Sequence, residues 1–141
     1  MGGQKKRAKN QATPSGIKKN EPKNAALTFR FDYFDSSDPE VCPATFPEGY
    51  VQTLMSRLRD LSSWRFVDFI QAGRGLRSHA VDWPDTSRPD GFGSAVPGHL
   101  VAEIRPWQFA LSQSEGGRVT GFLLGSSFYV VWLDCHHNVY P

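Results

Sequence analysis

The sequence predicts an α+β fold: a helical hairpin packed on one face of a curved, mainly antiparallel sheet, in the order β-α-α-β-β-β. Three observations predict it. A strand-like alternation opens the patterned part of the chain at Leu27, two stretches of helical spacing lie between Thr45 and Ala72, and β-rich runs close the chain after Leu100. Strands and helices segregated along the chain in this way build α+β domains rather than alternating βαβ units.

Each element rests on its residues. In Leu27-Thr-Phe-Arg-Phe-Asp-Tyr-Phe34, the apolar Leu27, Phe29, Phe31 and Tyr33 alternate with Thr28, Arg30 and Asp32. A period of two is that of a half-buried strand, and Asp35-Ser-Ser-Asp-Pro39 breaks it. Thr45-Phe-Pro-Glu48 has capping-box spacing, and behind it Val51, Leu54, Leu58 and Leu61 form one apolar helical stripe. Ser62-Ser63 predicts a second cap, Trp64–Ala72 a second helix, and Gly73 its stop. Residues 74–98 carry four Gly and three Pro and no legible period, with Trp83 and Phe92 as expected anchors. Leu100–Ile104 is a short strand candidate interrupted at Pro106, and Trp107–Leu111 comes next with alternating apolar residues. Ser114-Glu-Gly-Gly117 has hairpin-turn chemistry. Arg118–Leu124 is the next strand, and the unbroken apolar run Phe128–Leu133 predicts a central strand covered on both faces.

Charge divides the chain into two parts. Residues 1–25 hold seven Lys or Arg against one acid, a net +6, and almost no large apolar side chain. Such a segment cannot offset its ordering entropy by burial, so residues 1–25 are expected to be a disordered basic tail. Residues 26–141, expected to form a single α+β domain, hold nine Arg, no Lys and thirteen acids, a net −4. The longest apolar run, Phe128–Leu133, is far short of the roughly 20 residues of a membrane helix. Two cysteines, Cys42 and Cys135, make no disulfide framework, and the expected location is the cytoplasm.

The motifs exclude several chemistries. There is no Cys-x-x-Cys and no His-Glu-x-x-His, so no metal site is expected, although His79, His99, His136 and His137 are present. No phosphate loop, dinucleotide fingerprint or Gly-x-Ser-x-Gly elbow occurs, and no cofactor is expected. The closing run Asp134-Cys-His-His-Asn-Val-Tyr140 does carry chemistry. It places two imidazoles and a phenol at the rim of a sheet, near Arg118 at the start of the preceding strand. Arginine stabilises phosphate charge, histidine exchanges protons near neutral pH, and tyrosine bonds phosphate or stacks on bases. With the RNA 2′-hydroxyl as internal nucleophile, such a set can cleave a phosphodiester without metal. Adjacent residues on an extended chain face opposite ways, so one of His136 and His137 is expected to act as general acid, His137 being favoured. Arg105 and the tail residues Lys5, Lys6 and Arg7 are expected to hold substrate phosphates.

The element order, Arg118-Val-Thr-Gly-Phe122 and Phe128-Tyr-Val-Val-Trp-Leu-Asp-Cys-His-His-Asn-Val-Tyr140 resemble small bacterial proteins of the RelE/YoeB-like toxin superfamily. The resemblance covers residues 45–141 and is clearest at the C-terminus. It implies a compact ribonuclease-like fold and a toxin of a toxin–antitoxin pair. It further implies cleavage of mRNA, often on the ribosome, and neutralisation by a cognate antitoxin. By it, Arg118 matches the strand arginine, His136, His137 and Tyr140 match the C-terminal catalytic groups, and Glu103 or Glu115 could accept a proton. Members of that superfamily have a strongly basic body, whereas this one is acidic. The alternative expectation is a non-catalytic interaction protein on a RelE-like scaffold, such as a phage or mobile-element accessory factor.

Overall fold

The structure, a computed structural model, describes residues 24–112 and 117–141. The tail residues Lys5, Lys6 and Arg7, the Ser114–Gly117 turn save Gly117, and Glu115 lie outside the described residues. The elements are β1 (Thr28–Arg30), α1 (Tyr50–Leu61), α2 (Phe66–Ile70), β2 (His79–Ala80), β3 (Arg105–Ala110), β4 (Arg118–Leu124) and β5 (Ser127–Asp134). They make an α+β domain around one five-stranded mixed sheet of order β1-β5-β4-β3-β2. β1 runs parallel to β5, and the other neighbours are antiparallel. Among the described residues no helix is long and apolar enough to cross a membrane.

The helical stripe is buried as Leu54, Leu58 and Leu61, but Tyr50 completes it, and Val51 is 55% exposed. The reason is the start of the helix. Gly49, at φ 81, is the N-cap residue, no side chain caps the first turn, and the Thr45–Glu48 capping box does not form. Ser62 and Ser63 do not cap α2 either. Their hydroxyls donate to the Arg59 and Asp60 carbonyls and so close α1, while Arg65 is the N-cap residue of α2. Leu100–Ile104 forms no strand: Leu100 ends a 3-10 turn, and β3 starts at Arg105. Pro106 lies inside β3. Its carbonyl accepts from Val81 N–H, so its missing N–H faces the side where the two-residue β2 has already ended.

The sheet is covered on both faces. The first face carries Phe109, Val119, Leu123, Phe128 and Val130 beneath α1 and α2. The second carries Phe122, Val131 and Trp132, and it is covered by residues 81–104 through Trp83, Phe92 and Val96. Phe92 meets Trp132 at 5.1 Å and Trp83 at 4.8 Å between ring centroids. The segment without a legible period is therefore the lid of a second core, and its two aromatic residues are the anchors.

A β-bulge makes the two faces possible. The β4–β5 register shifts between Thr120 and Gly121: Thr120 faces Trp132, Gly121 faces Val130, and Val131 has no partner. The extra residue reverses the alternation. Val130 packs on the first face, while Val131 and Trp132 both pack on the second. Gly121 is the residue that permits this approach. A Cβ there would fall on the Tyr129 carbonyl oxygen and lie 2.8 Å from Phe128 Cε1.

Two substitutions test this arrangement. Gly121→Ala is expected to cost at least ~1–3 kcal/mol, because the collision involves backbone that cannot give way cheaply. Trp132→Ala is expected to cost about 3–5 kcal/mol through lost burial and a cavity. Urea unfolding monitored by circular dichroism measures both, and wild-type stability in Gly121→Ala would show that the strands do not approach as described.

Candidate functional site

The rim of the second face, where β4 begins and β5 ends, gathers ionisable groups. Arg118 opens β4, and the strand register sets it across from Ala110 on one side and Asp134 on the other. The bulge puts Asp134 on this face. Arg118 is buried, and its Nη1 donates to the Gly117 carbonyl at 3.1 Å.

Asp134 is fully buried and shapes the turn that closes the chain. Its Oδ1 accepts the Asn138 N–H at 2.8 Å, its Oδ2 accepts the Val139 N–H at 2.9 Å, and its carbonyl accepts the His137 N–H at 3.2 Å. A short carboxylate side chain folded back on its own backbone stops a strand and builds a turn. The turn is tied down elsewhere. Asn138 Nδ2 donates to the Glu40 carbonyl, Ser87 Oγ donates to the Asn138 carbonyl, and the Ser87 N–H donates to the Val139 carbonyl. His137 takes a left-handed backbone, φ 60, within it.

Tyr140 then crosses towards β2. Its hydroxyl oxygen accepts the Asp82 N–H at 2.8 Å, and its ring meets His79 edge-on at 5.5 Å. His79 lies opposite Gln108 in the β2–β3 pair, and Gln108 bonds Thr120 on the second face, so His79 shares that face. Its Nδ1 is 2.8 Å from the Ala80 carbonyl. A carbonyl only accepts, so Nδ1 carries the proton and Nε2 is the open nitrogen. Arg77, two residues earlier, also has a left-handed backbone, φ 52. Among the described residues, Arg77 and His137 are the two non-glycine residues with positive φ. Backbone strain of this kind concentrates at functional sites.

The charges act on one another. Burial, reinforced by the charges of Arg118, Arg77 and His79 and opposed by Asp134, holds the His137 imidazole below its ordinary 6.5. Burial, with Arg77 beside it, also lowers Arg118, while Asp134 supports its charge. Burial raises Asp134 above the usual carboxylate range, against the pull of the Asn138 and Val139 N–H groups. The rim thus holds two guanidinium groups, two imidazoles, a phenol and one buried carboxylate.

The structure brings together Arg118, His137 and Tyr140 of the expected set. His136 is exposed beside them, and its charge reaches Asp134. Arg105 is not part of the rim. It pairs with Leu123, five residues along β3 from the Ala110–Arg118 pair, and its guanidinium lies over the Trp107 ring at 5.7 Å. Glu103 lies just before that same far end of β3. Arg77 is absent from the site expected from the sequence, and His79 enters there only as a metal candidate. Both come from the segment whose pattern is illegible, and no spacing ties them to the C-terminus. Among the described residues, no group of three His, Cys, Asp or Glu is placed to hold a metal ion. Comparison with known proteins finds no matching family model, no matching curated protein and no matching solved structure.

The His137 shift has a sign that can be measured. The folded chain favours the neutral ring, so just below pH 6.5 the unfolded chain binds more protons than the folded one. Stability therefore rises with pH through this window and is lost as pH falls. His137→Asn keeps a residue that tolerates left-handed backbone and removes the titration. Between about pH 5.5 and about pH 7.5, the wild type is expected to gain more stability than the variant in urea unfolding. Equal gains would show that the imidazole titrates alike in both states.

Proposed function

We propose that this rim binds RNA and cleaves it without a metal ion, as in a RelE-like toxin that cuts mRNA. One observation carries the reading. Arg77, His79, Arg118, His137 and Tyr140, drawn from three separate parts of the chain, gather at one rim of the sheet: the rings of His79 and Tyr140 touch, and the charges of Arg118, Arg77 and His79 act on His137. Guanidinium and imidazole groups at one rim are the residue types that a phosphodiester site uses. Two guanidinium groups hold the scissile phosphate and stabilise the charge that develops on it. An imidazole exchanges the proton that the reaction requires. The environment that keeps His137 neutral suits it to accept a proton from the 2′-hydroxyl rather than to donate one, which alters the general-acid role expected from the sequence. The ribosome and a cognate antitoxin are the partners this reading names.

A second reading, a non-catalytic interaction module on the same scaffold, is favoured by the charge of residues 26–141, a net −4 with no lysine. Net charge of that sign repels nucleic acid at long range, so an RNA-cleaving site must act through local positive charge. The two readings differ in what a folded protein does to RNA. The wild type and the Arg118→Ala, His136→Ala, His137→Asn and Tyr140→Phe variants are incubated with mRNA in chelator, with and without ribosomes, after each is shown to be folded. Cleavage is expected to fall about 10²–10⁴-fold in His137→Asn and to stay within a few-fold of wild type in His136→Ala. A folded wild type that cleaves in neither condition and leaves host growth unaffected would remove the nuclease reading and favour the interaction module.

A further inference from the structure

We propose that His79 is a second catalytic residue of this rim, the general acid that works opposite His137. The inference rests on the RNA-cleavage reading and names the group it leaves unassigned. Transfer of the phosphate to an internal 2′-hydroxyl moves two protons, one from the nucleophile and one to the leaving oxygen. A single imidazole at His137 serves one of them, and His79 supplies a second ring at the same rim.

Four features place His79 in that part. The β2–β3 register sets it on the face that carries Arg118 and Asp134. Its Nδ1–H donates to the Ala80 carbonyl, which leaves Nε2 as the nitrogen able to give a proton to a bound ligand. The Tyr140 ring stands edge-on against it and is itself anchored to Asp82 N–H, so the imidazole is steadied from the side. Finally, its charge is felt at His137 together with those of Arg118, Arg77 and Asp134, which puts both rings in one electrostatic field. His79 is exposed whereas His137 is partly buried, as a donor to a departing strand and a base beside the gripped phosphate would be.

The step balances. Neutral His137 takes the proton of the 2′-hydroxyl, and the 2′-oxygen forms a bond to phosphorus. The bond from phosphorus to the 5′-oxygen breaks, and that oxygen takes the proton from Nε2 of protonated His79. The products are a 2′,3′-cyclic phosphate and a free 5′-hydroxyl. His137 ends protonated and His79 neutral, so no oxidant, reductant or added water is consumed. The ligand class is a ribonucleotide phosphodiester, and a deoxyribonucleotide lacks the nucleophile.

The test separates His79 from the reading beneath it. Full-length wild type, His79→Gln and His137→Asn are assayed on a short single-stranded RNA and on a uridine 3′-(p-nitrophenyl phosphate), whose leaving group departs without a proton. His79→Gln is expected to lose about 10²–10⁴-fold on RNA. It is expected to stay within a few-fold of wild type on the activated ester, whereas His137→Asn is slow on both. Wild-type rates on RNA in folded His79→Gln would overturn the His79 assignment and leave RNA cleavage standing. If the wild type cleaves only mRNA on ribosomes, the same loss of about 10²–10⁴-fold in His79→Gln is expected there, and a wild type inactive on both substrates and on mRNA with ribosomes would overturn both. If His79→Gln does not fold, the wild type is titrated with a ribonucleoside 3′-monophosphate and the histidine Cε1–H resonances are monitored. Movement of both His79 and His137 supports the pair, and movement of His137 alone overturns it.

Discussion

The extra residue at Val131 decides where everything at the C-terminal end of the sheet points. An unbulged β5 would send Phe128, Val130, Trp132 and Asp134 to one face, against the helices. The bulge reverses the alternation after Val130, so Trp132 and Asp134 join Phe122 and Arg118 on the other face. The reversal needs two backbones closer than a side chain allows, and Gly121 is where that happens. One glycine thus links the packing of the second core to the ionisable groups at its rim. Without the reversal, the carboxylate that organises the closing turn would face the apolar core beneath the helices, where burying it is costly.

The rim is then a matter of ordinary hydrogen-bond accounting. Asp134, buried, satisfies both oxygens with the N–H groups of Asn138 and Val139, and this forces the turn in which His137 adopts its left-handed backbone. Val139 is buried in the second core, which carries Tyr140 over to His79 and Asp82. The segment 81–104 fixes the other side of the same core with Phe92 and Trp83, and Ser87 bonds the closing turn directly. Stability and site geometry therefore share residues, so a change in the lid is felt at the rim.

What is legible in the sequence is whatever depends on local spacing. The α+β class, the two helical stretches, β4, β5 and the placement of Arg118, His137 and Tyr140 at the sheet rim all rest on periods or on adjacency. Contacts distant along the chain are not legible. The alternation through Leu27–Phe34 resembles a long strand, but only Thr28–Arg30 pairs, and it pairs in parallel with β5. The Thr45–Glu48 spacing resembles a cap, yet the Pro47 carbonyl accepts the Tyr50 N–H and Gly49 starts the helix instead. A continuous apolar run such as Phe128–Leu133 conceals its own phase, because every residue in it can face either core. Arg77 and His79 are hidden for a related reason: their segment is shaped by the sheet face it covers and has no periodicity of its own.

Nuclear Overhauser contacts of the Trp132 indole in the full-length protein test the bulge most directly. The bulge places this ring 5.1 Å from Phe92 and 6.2 Å from Trp83, with its Nε1–H donating to Asp35. Cross-peaks from Trp132 to Phe92 and Trp83, and none to Phe109 or Phe128, are the expected result. Cross-peaks to Phe109 and Phe128 would put Trp132, and Asp134 two residues on, against the helices, and the rim described here would not exist.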